Sequence, residues 1–345
     1  MPEARRASQS AVDPREAMLQ VINAGFVSQC VYVAAKLGVA DFLSDGPKAC
    51  EELAVETSVH APSLYRVMRA LAGVGIFCED AQGRFALTPL SEALRSNAEA
   101  SVRDWAILRG EDFVWRPWGA ILESVRTGRP AFRHVFEKGP FEHLRDDEEA
   151  GRIFDRARRS ISGRTFPAVA AGYDFSGIHT LLDVGGGSGG LLTAILKANP
   201  RMQGILADLP RVVARAKQEL KAADLGGRCR CVETDMFESV PEGAGAVILA
   251  SVIHDFDDER SIQILKNCRQ AVRPGAKLLL VELMIAPPNE PHLSKLADID
   301  MLVLTDGGRE RSESEYGALY EAAGFRQTRV VATDSPWSVV EGVAV

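Results

Sequence analysis

The rhythm of hydrophobic and polar positions changes along the chain. From Pro14 to Leu43 the residues Val21, Ile22, Phe26, Val31, Val33, Ala34 and Leu37 leave no continuous polar face, which predicts a helix covered on several sides. The stretch lies at the edge of the chain, so a second copy of the chain is its natural cover and a homodimer is the expected assembly. Between Cys50 and Leu94 the pattern predicts a short helix (CEELAVET), a turn, a second helix opened by APSLYRVMRALAGVG with Pro62 near its start, and the hairpin-like IFCEDAQGRFALT. That order is a winged helix-turn-helix. Residues 101–170 read as helices broken by Gly-Arg-Pro and Lys-Gly-Pro turns and are rich in aromatics, with RDDEEAGR as a solvated helix start. Those aromatics either roof a pocket for a flat substrate or pack two domains together.

From His179 onward short apolar runs alternate with helical patterns. The candidate strands are Thr180 to Val184, Gly204 to Ala207, Cys229 to Glu233, Ala246 to Ala250, Lys277 to Glu282, Gln327 to Ala332 and Ser338 to Val343. Such alternation predicts an α/β fold with a doubly wound, mostly parallel, seven-stranded Rossmann-like sheet, preceded by the mostly helical winged-helix region. Ligands of these sheets sit beyond the carboxyl ends of the strands. The polar residues just past those ends are Asp208, Asp235, His254 and Glu282.

The stretch LLDVGGGSGGLL, Leu181 to Leu192, reads as strand, tight turn and helix in series. Gly185, Gly187 and Gly189 let the backbone turn and approach a ligand, and the following helix offers free N–H groups. Gly185, Gly187 and Gly190 satisfy the dinucleotide spacing, whereas Asp183 with Gly185, Gly187 and Gly189 satisfies the acidic-x-G-x-G-x-G spacing of S-adenosylmethionine (SAM) sites. Asp208, 25 positions after Asp183, suits ribose hydroxyls in either case. Asp183 favours SAM, because a carboxylate can face a cationic amino group and would repel a pyrophosphate.

Composition narrows the partners. The 345 residues carry a formal net charge of −7, which argues against nucleic acid as the main partner, and Arg66 and Arg69 on the second winged-helix helix do not make a basic stripe. No apolar run is expected to span a membrane, and the start MPEARRASQS lacks the apolar core of a signal peptide, so a cytoplasmic location is the default. Six scattered cysteines suggest buried free thiols rather than a disulfide framework or a metal cluster.

The order DVGGGSGG, ADLP, TDMF, VIHDFDDE, LLVELMI and DGGRERSESEY resembles the SAM-dependent O-methyltransferases that act on small hydroxylated aromatics, the plant caffeate type and its bacterial natural-product relatives. The resemblance covers nearly the whole chain. Residues 1–13 read as a mobile tail, and the resemblance implies a winged-helix dimerisation domain at 14–100, a helical connector contributing to the substrate pocket at 101–170, and a SAM-binding methyltransferase domain at 171–345. It implies that Asp183, Gly185, Gly187, Asp208, Leu209, Asp235, Met236 and Phe237 surround SAM. His254 becomes the general base, with Glu282 and Glu310 beside it, and Trp115, Phe154, Asp255 and Asp298 are the expected acceptor contacts. Where several relatives carry a basic residue before the histidine, this chain reads Ala250-Ser251, which leaves the Ser251 hydroxyl as the contact with SAM. Phe256 stands where relatives often have tryptophan.

Chemistry points the same way. A phenol with a pKa of about 10 is mostly protonated near neutrality, and histidine, at about 6.5, is the side chain suited to take its proton as the methyl group is attacked. A neighbouring carboxylate fixes the histidine tautomer. SAM is already activated, so no metal is expected. Three other readings are a SAM-binding homologue with decarboxylating, hydroxylating or pericyclic chemistry, a SAM-sensing DNA-binding regulator, and a dinucleotide oxidoreductase. Methylation of nitrogen or sulfur in place of oxygen is a variant of the main reading.

Overall fold

The computed structural model of the chain describes residues 13–345, so the tail expected at 1–13 lies outside the described residues except for Asp13. Two compact units divide the chain, Met1–Glu111 and Asp112–Val345. The division falls inside the stretch 101–170 that reads as a connector.

In the first unit Asp13 caps the helix Pro14–Leu37 by accepting from the Arg15 N–H (3.0 Å), and Gly38 ends it in the left-handed region (φ 70°). Its last turns are buried at Ala34 and Ala35, whereas Val21, Ile22 and Phe26 are 71%, 63% and 72% exposed. The described residues therefore supply only part of the cover expected for so apolar a helix. The expectation that no stretch is long and apolar enough to span a membrane needs correction: this 24-residue helix is, by length and composition. The isolated polar residues Gln20, Asn23 and Gln29 do not offset its apolar ones.

Strand β1 (Lys48–Ala49), the helices Cys50–Thr57 and Ala61–Gly73, and strands β2 (Phe77–Glu79) and β3 (Arg84–Leu87) form the winged helix-turn-helix, with β3 central in the small sheet. Leu64, Met68 and Leu71 of its second helix are buried against Leu53, Phe77 and Phe85. Arg69 lies over the Tyr65 ring (5.5 Å), and Tyr65 in turn donates to Glu79 (2.9 Å). That helix serves the core of its own unit. Cys78, on the outer face of β2, is exposed, so the expectation of buried thiols fails there; Cys50 and Cys268 are buried.

In the second unit Asp147 caps the helix Glu148–Gly172, which confirms RDDEEAGR as a helix start. Seven strands follow: β4 (Thr180–Val184), β5 (Gln203–Asp208), β6 (Cys229–Glu233), β7 (Ala246–Ala250), β8 (Lys277–Leu283), β9 (Phe325–Thr333) and β10 (Ser335–Ala344). Their order is β6-β5-β4-β7-β8-β10-β9, parallel as far as β8, with β10 antiparallel to both its neighbours. Central strands show no polar face. Leu182, Val184, Val247 and Leu249 pack on one side, and Leu181, Leu206, Ala246 and Ile248 on the other, as helices on both faces require. Connections reverse direction between β4 and β7, which opens a crevice beyond their carboxyl ends. β9 and β10 extend past the expected bounds, because antiparallel pairing between them carries through their polar ends.

Candidate active site

The first wall of the crevice is the turn after β4. Gly185 and Gly187 adopt φ of 67° and 58°, values L side chains rarely take. A Cβ on Gly187 would meet nothing within 4 Å, so this backbone faces open space. Asp208, at the end of β5, accepts from the Gly187 N–H (2.9 Å) through one oxygen and from the Leu209 N–H (2.7 Å) through the other. Burial raises its pKa against the pull of those two N–H groups. Leu209 itself is 44% exposed at the rim.

Asp183 differs from what its place in the motif suggests. It lies beneath the turn, where a Cβ on Gly186 would come within 2.8 Å of its carboxyl group, and it is 1% exposed with one oxygen lacking any partner. Burial pushes its pKa up to about 8. It is a buried carboxyl beneath the turn rather than a surface charge.

Beyond β6, Asp235 turns the chain by accepting from the Phe237 N–H (2.9 Å) and remains exposed. The helix Asp258–Gln270 pins the next two residues: Asn267 donates to the Met236 carbonyl and Gln263 to the Phe237 carbonyl, both at 2.8 Å. Phe237 meets Phe256 edge to face (5.1 Å), with the Arg260 guanidinium over both rings. Phe256 thus braces this loop from within and is buried.

The second wall is the short 3-10 turn Ile253–Asp255 after β7. His254 Nδ1 lies 3.0 Å from Glu310 Oε1 and 3.6 Å from Glu282 Oε2, while Nε2 lies 3.6 Å from Asp255 Oδ1. Glu282 uses its other oxygen to accept from the Val252 and Ile253 N–H groups (3.1 and 2.9 Å), fixing the turn that carries the histidine. All three side chains are buried, and one oxygen of each glutamate has no hydrogen-bond partner. Burial alone would depress the imidazole, but Glu282, Asp255 and Glu310 outweigh it and hold His254 at about 9. Burial pushes Glu282 up to about 7 despite the imidazole beside it. The donor atoms of His254, Glu282 and Glu310 lie within 4.8 Å of one another, the size of a metal-ligand set, but a metal ion would have to displace the hydrogen bond between Nδ1 and Glu310.

The remaining acids after His254 separate by role. Asp257 caps the following helix (2.8 Å to the Arg260 N–H), and Asp258 pairs with Arg309 and Arg311. Arg311, fully buried, had no signal in the sequence beyond its motif, yet it donates to the Ile253 and Phe256 carbonyls (3.1 and 2.8 Å) on either side of the histidine. Gly308 allows this approach, since a Cβ there would lie 2.5 Å from the His254 carbonyl oxygen. Asp298 accepts from the Glu310 N–H (3.0 Å), so at least one of its oxygens supports the glutamate. Trp118 donates to Asp300 (2.8 Å); of the aromatics expected at the acceptor, Trp115 is 39% exposed and Phe154 half-buried. Ser251 sits in the left-handed region (φ 52°) and its hydroxyl accepts from the Trp337 indole N–H (3.2 Å).

Comparison with known proteins identifies the assembly of parts. Residues 118–326 match the family described as O-methyltransferase domain, and residues 19–97 match the O-methyltransferase dimerisation domain. The chain is similar to phenazine O-methyltransferase PhzM of Lysobacter antibioticus, 43% identical over 99% of each chain. It is 33% identical to the phenazine-1-carboxylate N-methyltransferase of Pseudomonas aeruginosa, over 91% of this chain and 92% of that one. A solved structure of the O-methyltransferase NcsB1 from neocarzinostatin biosynthesis, in complex with SAM and 2-hydroxy-5-methyl naphthoic acid, superimposes with a TM-score of 0.81 at 33% identity, covering 92% of this chain and 96% of that one. The chain belongs to the SAM-dependent O-methyltransferase family, with a dimerisation domain ahead of the O-methyltransferase domain.

Proposed function

We propose that the chain methylates a hydroxyl group of a small aromatic natural product, using SAM as donor and His254 as general base, and that it works as a homodimer in the cytoplasm. SAM, when bound, supplies a methyl group on a cationic sulfur. The residues fit such a ligand: the Gly187 backbone faces open space, Leu209 and Met236 offer apolar surface, Asp208 and Asp235 offer carboxylates for hydroxyl and amino groups, and the orphaned Asp183 oxygen lies under the turn.

The observation that carries the reading is the hydrogen bond between Nδ1 of His254 and Glu310. It keeps a proton on Nδ1 and leaves Nε2 as the nitrogen that exchanges one with the acceptor. With the imidazole held at about 9, its proton affinity is close to that of a phenol at about 10, so the transfer is nearly balanced. The two buried glutamates stabilise the imidazolium that results. Because the imidazole is protonated below about 9 in the ligand-free protein, activity rises with pH up to that region.

Oxygen is the proposed target because the 43% identical relative is an O-methyltransferase. The 33% identical N-methyltransferase keeps nitrogen as a second reading. Incubation with isotopically labelled SAM and a set of hydroxylated and amino-substituted aromatics, followed by NMR of the product, separates the two. A methyl carbon bonded to oxygen is expected. A methyl on ring nitrogen overturns the target, and cofactor turnover without any methylated product overturns methyl transfer itself.

A further inference from the structure

The helix Glu148–Gly172 runs along the crevice with charged residues one turn apart. Asp155 is close enough to Asp208 to raise its pKa and is paired with Arg215. One turn later Arg158 is half-buried and near Asp255, whose pKa burial raises against the pull of His254 and Arg158. Arg158 lines a narrow cleft together with Ser162 of its own helix, Ser251 at the end of β7, and the apolar side chains of Ile161, Phe166 and Trp337.

What sets Arg158 apart is that its guanidinium makes no hydrogen bond or ion pair with any described residue, although most arginines nearby are engaged. Arg215 holds Asp155, Arg159 reaches Glu219 (3.5 Å), and Arg311 is spent on Asp258 and backbone carbonyls. The Arg158 nitrogens stay open to solvent, so the five N–H donors are available to a planar anionic group. The reacting end is otherwise acidic, with Glu282, Glu310 and Asp255 around one imidazole and Asp298 accepting from the Glu310 N–H. An anionic acceptor would be repelled there without a compensating cation. Arg158 also lies on the Asp255 side, which is the Nε2 flank of His254 and the flank to which an acceptor hydroxyl must come.

We propose that Arg158 reads a carboxylate on the aromatic acceptor, with the Ser162 hydroxyl alongside, and so makes the enzyme selective for ring systems bearing a carboxylate next to the methylated position. The proposal deepens the methyltransferase reading and rests on it for the acceptor's hydroxyl. Guanidinium and carboxylate meet as a two-pronged pair, and the apolar residues of the cleft flank the ring that carries the carboxylate.

The test is equilibrium binding to the full chain saturated with S-adenosylhomocysteine (SAH), using a hydroxynaphthoate and the naphthol that lacks its carboxylate, for the wild type, Arg158→Met and Arg158→Lys. The wild type is expected to bind the hydroxynaphthoate at least about tenfold more tightly than the naphthol. Arg158→Met abolishes that preference and leaves naphthol binding and the Kd of SAH within about twofold, while Arg158→Lys keeps part of the preference, since a lysine retains the charge and loses the fork. Equal affinity for the two rings in the wild type overturns the proposal. So does a loss in Arg158→Met that falls on SAH alone, which would assign the carboxylate to the cofactor. Binding is read without turnover, so failure of methyl transfer would appear as missing product and leave the preference measurable.

Discussion

The two walls of the crevice are built by opposite means. The glycine wall comes largely from one continuous run, Asp183 to Gly190, and presents backbone: turned glycines, and Asp208 with both oxygens occupied. The histidine wall comes from side chains at 254, 282 and 310, brought together from the ends of β7 and β8 and from the loop before the helix Glu313–Ala322. In the first, a buried carboxyl escapes its desolvation cost by staying protonated, with Asp183 at about 8. In the second, the acids pay that cost by holding a proton on the imidazole between them, with His254 at about 9. Shape therefore dominates the first wall and charge the second, and substitutions should separate accordingly, with binding lost at one and rate lost at the other.

The largest expected effect is on the charge-built wall. His254→Gln keeps the size and some hydrogen bonding but removes the base, and kcat for a phenolic acceptor should fall at least roughly 100-fold while the Kd of SAM moves less than about twofold. Glu310→Gln comes next, with kcat down by about 10-fold or more and, as the more specific sign, the pH-rate limb displaced below about 9, because one of the carboxylates that raises the imidazole is gone. A limb that stays in place would mean that Glu310 orients the ring without tuning it. On the shape-built wall, Asp208→Ala should weaken SAM by about 10-fold and leave kcat at saturating SAM nearly unchanged; equal loss in kcat would blur the distinction between the walls.

The smallest effect is on stability. Asp183 titrates at about 8 in the folded chain and near 3.9 when unfolded, so the folded form binds the proton more tightly. The stability this confers is whole below about pH 4 and is lost as pH rises through about 8. Asp183→Asn removes that dependence, and its Tm measured against the wild type should gain between pH 6 and pH 9. An unchanged Tm difference over that range would show that Asp183 is charged throughout.

Much of this was legible in the residues. Seven strands follow from apolar runs of the right length, and their bounds differ from those observed by a few residues at most, because period and composition mark a buried strand but not how far its pairing continues into polar ends. The glycine turn is legible because its parts are adjacent. His254 stands out by its place after β7, but the meaning of its neighbours did not: of the acids that follow, Asp255 faces the imidazole, Asp257 is a helix cap and Asp258 is an arginine partner. Arg311 and Trp337 carried no local signal, since their hydrogen-bond partners Phe256 and Ser251 lie 55 and 86 residues away in sequence. The bare face of the helix Pro14–Leu37 is a further case, for its apolar pattern is visible and what covers it is not.

The central claim is that His254, held by Glu310 and Glu282, is the group whose proton affinity governs methyl transfer. The most direct test is kcat/KM for SAH formation with a phenolic acceptor between pH 6 and pH 10, in the wild type and in His254→Gln. The account predicts a wild-type rate that climbs about tenfold per pH unit and levels near 9, and a variant that lacks this limb and is slower throughout. A limb of the same position and height in both proteins would contradict it and move the base to another residue or to the solvent.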